Sequence, residues 1–154
     1  MQNLVIYSGS TIRTQSAFYG SQGEGKVGLV DLRDVAAVAV KVLTEDGHLG
    51  KAYALTGPHA LTAAQVARTL SSAVGREIKY VDLPPDQMKQ ALLSAGVPEF
   101  IAEGDVDLNQ LYRSGGASLV SPDIEHILGR QPISLEQFAR DYAGAFASSG
   151  AAAR

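Results

Sequence analysis

The stretch Lys26-Val-Gly-Leu-Val-Asp-Leu-Arg-Asp-Val-Ala-Ala-Val-Ala-Val40, followed by Lys51-Ala-Tyr-Ala-Leu-Thr-Gly-Pro58, constrains this chain more than any other feature. It reads as a strand, a capped buried helix, a turn and a second strand. The Asp31 side chain is placed to cap the helix, and Asp34 favours its positive end. Val35, Val38, Ala39 and Val42 then recur at helical spacing. Thr44-Glu-Asp-Gly47 and Gly50 close the helix, and Gly57-Pro58 stops the second strand. Arg33 has two carboxylates within reach, Asp31 and Asp34, and the sequence does not choose between them.

Around this block the chain alternates short apolar runs with helix punctuation. Asn3 to Tyr7 fits either a strand or a turn of helix by periodicity. Ala17-Phe-Tyr-Gly20 and Lys26 to Asp31 flank a glycine-rich turn and predict a hairpin or a loosely paired ribbon. Thr62 and Gln65 form a capping box, Val66, Leu70 and Val74 line one face of the helix behind it, and Gly75 ends it. Glu77 to Leu83 reads as a strand. With Lys51–Leu55 on the other side of the helix, it predicts a parallel β-α-β unit.

Pro85 and Pro98 each open a helical stretch, the second carrying Phe100, Ile101, Val106, Leu108 and Leu111 as far as Gly115-Gly116. Ser121-Pro122 starts a short helix stopped at Gly129. Ser134 with Gln137 spells a second capping box before a last helix striped by Phe138, Tyr142 and Phe146. The expected class is α/β, a small sheet with a helical cap, as one domain over 1–146 and a flexible tail over 147–154.

Charge and composition remove several functions. The formal net charge is −3 and the 13 Lys and Arg are scattered, which argues against nucleic acid. There are no cysteines, so disulfides, thiolate metal sites and a Cys nucleophile are excluded, and a reducing cytoplasm suits the chain. No apolar run reaches the ~20 residues a membrane span needs, so no membrane partner is expected.

Several catalytic patterns fail on inspection. Gly20-Ser-Gln-Gly-Glu-Gly-Lys-Val27 nearly spells a phosphate-binding loop, but Val27 stands where a hydroxyl should hold magnesium, and a β-type run follows instead of a helix. No G-x-G-x-x-G or G-x-x-G-x-x-G turn opens any helix. None of the six tyrosines has a lysine four residues later; those positions hold Thr11, Gly23, Gly57, Pro84, Gly116 and Phe146. His48, His59 and His126 lack spaced ligand partners, so no metal is expected. Asp105 and Asp107 are two apart, on different sides of a helix, and offer no paired-carboxylate mechanism.

The elements Val30-Asp-Leu-Arg-Asp-Val-Ala36, Tyr53-Ala-Leu-Thr-Gly-Pro58, Val74-Gly-Arg…Tyr80-Val-Asp82 before Pro84-Pro85, and Gly129-Arg-Gln-Pro132…Leu135-Glu-Gln-Phe138 together resemble the NmrA-like family, an atypical branch of the short-chain dehydrogenase/reductases. The likeness covers about residues 1 to 146 and matches that family's C-terminal, substrate-side half, without the N-terminal half that carries the dinucleotide fingerprint. It implies a truncated Rossmann-like half whose first residues form a short helix. It also implies the substrate-side module of an NAD(P)-dependent oxidoreductase or redox sensor without independent catalysis, so no cofactor is expected for this chain alone. By position in the family, Asn3 belongs at the mouth of the cofactor site, and Tyr7, Ile12, Phe18 and Tyr19 are substrate-pocket candidates. Loss of the front half leaves open strand edges and bare apolar surface, so a homo-oligomer or a Rossmann-type partner is expected, with a small-molecule ligand as a further possibility. The alternative is a non-enzymatic interaction module pairing through an exposed sheet edge.

Overall fold

In a computed structural model, residues 1–147 are described; the tail expected over 147–154 lies outside them except for Ala147. Helix α1 (Asn3–Gln15) leads into strand β1 (Ala17–Gly20), then β2 (Lys26–Val27) and helix α2 (Leu32–Thr44). Strand β3 (Leu61–Thr62), helix α3 (Ala63–Val74) and strand β4 (Lys79–Asp82) follow. The second half is helical: α4 (Pro85–Ser94), α5 (Glu99–Arg113), α6 (Asp123–Leu128), α7 (Leu135–Asp141) and α8 (Ala143–Phe146).

Local chemistry behaves as its sequence dictates. Asp31 caps α2, its side chain accepting the Arg33 N–H. Thr62 and Gln65 close the reciprocal box on α3, and Gly75 and Gly129 end α3 and α6 in the left-handed conformation. Helix α1 runs for 13 residues, longer than the short helix expected at the start. It stops at Ser16, which adopts φ 54° and is held there by Arg76 through its hydroxyl. Arg76 also donates to the carbonyls of Ile12 and Phe146, so one cation ties the C-terminal ends of α1 and α8 together.

Long-range pairing departs from expectation. β1 and the following strand do not form a hairpin. β1 pairs in parallel with β4, Ala17 opposite Lys79 through Gly20 opposite Asp82, while β2 pairs antiparallel with β3. The glycine-rich segment between β1 and β2 is instead a seat for α5. A Cβ on Gly25 would lie 2.2 Å from the Tyr112 carbonyl oxygen, and one on Gly23 would meet the Arg113 guanidinium at 3.1 Å. The β-α-β unit expected from Lys51–Leu55 does not form either. That segment joins no ladder, and the Ala54 N–H is taken by the Asp123 carboxylate at 2.7 Å. The parallel partner of β4 comes from β1, with α2 and α3 in the crossover.

Two apolar cores result. The main one packs Ile12 and Phe18 against Val66, Leu70, Ile78, Phe138 and Phe146. The second brings Val38 of α2 onto Ile124 and Ile127 of α6, flanked by Tyr53 and Leu55. The last helix is broken at Tyr142, where φ is −107° and ψ 15°, yet Phe138, Tyr142 and Phe146 still form one aromatic row. Its capping box is half made. Ser134 accepts the Gln137 N–H, but the Gln137 side chain turns to Asp141 and Arg140.

Candidate functional site

The outward face of α1 holds the first cluster. Its inner side buries Gly9 and Ile12, and Asn3, Ile6, Tyr7, Ser10 and Thr14 are exposed at helical spacing on the other side. Asn3 and Tyr7, one turn apart, therefore share a surface, and Tyr7 is 77% exposed. Tyr19 lies past the far end of the helix, its hydroxyl donating to Gln15 Oε1 at 2.7 Å. Ile12 and Phe18 sit inside the main core; Phe18 packs on the Tyr80 ring with centroids 5.4 Å apart. The structure thus places Asn3, Tyr7 and Tyr19 on the surface and the other two candidates beneath it.

Behind the start of α1, a charged junction fixes its direction. Asp31 is fully buried. It accepts from Gln2 Nε2, the Arg33 N–H and the Arg33 guanidinium at 2.8 to 3.1 Å. Burial alone would raise its pKa, but these donors and the Arg33 charge outweigh it and hold the carboxyl at about 2. Arg33 also pairs with Asp141 at 2.7 Å and lies over the Tyr142 ring. Asp34, likewise buried, goes elsewhere: Arg130 stands 2.7 Å from one oxygen, and the Ile133 N–H donates to the other. The open choice for Arg33 therefore falls on Asp31.

A second polar network, which the sequence alone did not suggest, joins β4 to α5. The Tyr80 hydroxyl donates to Asp82 Oδ1 at 2.9 Å and accepts the Gln22 N–H. Asp82 also accepts from the Gly23 N–H and from Arg113, whose Nε donates to the Ser21 carbonyl. Asn109 Oδ1 accepts the Ser21 N–H. Burial, and then the hydrogen bond to Asp82, push the Tyr80 phenol well above its ordinary range. Burial opposes ionisation of Asp82, but the Gly23, Tyr80 and Arg113 bonds hold its pKa down. The phenol stays protonated and the carboxylate is spoken for, so the group clamps the glycine-rich loop and supplies no free base. Tyr80 and Asp82 share a strand face two residues apart, a signal the sequence offers; nothing in it points to Arg113.

Two shallow clefts lie elsewhere on the surface. One of about 330 Å³ is lined by Arg68, Ser72, Glu136 and Arg140, the other of about 270 Å³ by Pro58, Pro122, Glu125 and Pro132. Neither is lined by the five residues named from the sequence. Among the described residues no cluster of three or more His, Asp or Glu could hold a metal ion. Among the described residues the helices of eight residues or more have Gln2, Asp31, Thr62, Pro84 and Pro98 as N-caps; none of these caps is a glycine, and one is a buried carboxylate. A diphosphate has no amide-lined cradle there.

No protein-family model matches the chain. It is 41% identical to an NAD(P)H azoreductase of Xenophilus azovorans over 97% of its own length and 52% of the azoreductase. Its fold is similar to that of an NADPH-dependent quinone oxidoreductase from Escherichia coli, with a TM-score of 0.81 at 28% identity over 90% of this chain and 50% of that one. The triphenylmethane reductase of Citrobacter sp., crystallised with NADP(H), superposes with a TM-score of 0.77 at 28% identity, covering 87% of this chain and 46% of the reductase. The chain spans about half the length of the curated relatives it matches. The fold and these likenesses define a class, the Rossmann-like α/β proteins. Within it the homologues of this chain are NAD(P)H-dependent oxidoreductases, which supports the NmrA-like resemblance.

Proposed function

We propose that this chain is the substrate-side half of an NmrA-like NAD(P)H-dependent oxidoreductase or redox sensor, placed in the cytoplasm and without catalysis of its own. The carrying observation is the 41% identity to an azoreductase along 97% of this chain but only 52% of that enzyme. In such an enzyme the bound nucleotide supplies a hydride. The helix starts described for this chain do not fit its diphosphate, so of these residues only Asn3, expected at the mouth of the cofactor site, is given a place beside the coenzyme. What the chain contributes is a surface for the acceptor. Tyr7 offers an exposed ring to a planar electrophile such as a quinone or azo compound, and Asn3 one turn away offers an amide to its polar end. Asp31 and Arg33 fix the start of α1, and with it that pair.

Titration of the chain with NADPH, followed by nucleotide fluorescence and calorimetry, tests this reading. No saturable binding is expected at micromolar nucleotide. A micromolar dissociation constant for the chain alone would overturn it. Among the described residues no helix is long and apolar enough to cross a membrane.

A further inference from the structure

Most arginines of this chain are engaged inside the fold. Arg13 and Arg76 donate to backbone carbonyls, and Arg33, Arg113 and Arg130 pair with carboxylates. Among the described residues the other two, Arg68 of α3 and Arg140 of α7, have no carboxylate within ion-pair distance. Both line the cleft of about 330 Å³ between those helices. Arg140 is held by its own helix: it donates to Gln137 Oε1 at 2.8 Å, and the Gln137 amide donates in turn to Asp141. Arg68 has no side-chain partner among the described residues. Glu136 stands one turn before Arg140, at a spacing that favours pairing, yet the two form no ion pair.

The rest of the lining adds directed polar groups. Arg68, Thr69, Ser72 and Ala73 share one face of α3. Ser72 gives its proton to the Arg68 carbonyl, whereas half-buried Thr69 bonds no described group through its hydroxyl and keeps a donor free. Two guanidinium forks and a hydroxyl match the several oxygens of a tetrahedral phosphate, while a single carboxylate would occupy one fork. Glu136 repels a bare dianion and attracts an ammonium group placed beside it. The charge of the whole chain does not oppose an anion here. Helices α4 and α5 hold five acids against two bases, so the formal net charge of −3 resides in that arm and the remainder is balanced.

We propose that the cleft between α3 and α7 binds a small phosphate monoester carrying an amine, with the phosphate between Arg68 and Arg140 and the amine at Glu136. None of its lining residues belongs to the face of Asn3 and Tyr7, and the site does not depend on the functional reading above.

The test is titration of the full chain at constant ionic strength with inorganic phosphate, O-phosphoethanolamine and ethanolamine. The arginine Nε–H resonances are the readout. The expected result is saturable one-to-one binding that moves the Arg68 and Arg140 signals, with O-phosphoethanolamine about tenfold tighter than phosphate and ethanolamine unbound. Arg68→Gln and Arg140→Gln should each weaken O-phosphoethanolamine about tenfold with unchanged circular dichroism. Glu136→Gln should remove its advantage over phosphate. Shifts that rise without saturating overturn the proposal, as does saturation centred on other arginines. It is equally overturned if the arginine variants bind as tightly as the parent chain, or if the amine brings no gain. Micromolar binding of NADPH that Arg68→Gln leaves unchanged would contradict the functional reading and leave this site standing.

Discussion

Asp31 is the residue on which the N-terminal junction turns, and its ionisation links the fold to pH. Its folded pKa of about 2 lies below the ordinary value of 3.8. The stability it adds is therefore complete above about pH 5 and fades as pH falls toward 2, an effect of about 2 kcal/mol. Urea unfolding at pH 7 and pH 2.5 should show Asp31→Asn losing stability mainly at the higher pH, so that the difference between the two conditions shrinks. Glycines give a second contrast. Gly25→Ala forces a Cβ onto the Tyr112 carbonyl, a backbone atom that no rotamer relieves. A loss of about 1–3 kcal/mol is expected. Gly104→Ala, inside α5 with nothing within 4 Å of the new carbon, should gain about 0.5–1 kcal/mol. Thermal melts of the pair should move in opposite directions; a shared direction would mean that the loop is not seated on α5.

At the level of elements, what could be foreseen is what closes within a few residues. The cap of α3 needs only Thr62 to Gln65, and Thr62→Ala should cost about 1 kcal/mol in denaturant unfolding, since the Gln65 N–H loses its hydroxyl partner. The αL stops at Gly75 and Gly129 are local in the same way. Strand partners are not. Nothing in Ala17–Gly20 names Lys79–Asp82 over the nearer Lys26–Val27; the choice follows from packing Phe18 on Tyr80 and from Arg113 reaching Asp82. Lys51–Leu55 shows the converse, a strand-like pattern with no neighbour to pair with. Of the candidate site, the shared face of Asn3 and Tyr7 follows from helical spacing once α1 is a full helix. The burial of Ile12 and Phe18 follows only from the tertiary arrangement, which also turns the last capping box to Asp141 and Arg140.

Taken whole, the molecule is a body built on the main core with the α4–α5 hairpin set against one side. Helix α4 buries no residue, and α5 buries only Ala102 and Asn109. Polar bonds carry much of the attachment: Asn109 to Ser21, and Arg113 to Ser21 and Asp82. Regions with few buried apolar contacts open at lower free energy than the global transition. Amides of α4 are thus expected to exchange with deuterium well before those of α3, which holds Val66 and Leu70 in the core. Equal protection of the two helices would refute a separately opening arm. Because the Arg113–Asp82 pair is nearly half in solvent, the arm should also loosen as ionic strength rises, with a hinge made of charge and not of grease. Salt then becomes a dial for how far the arm swings, leaving the rest of the protein still.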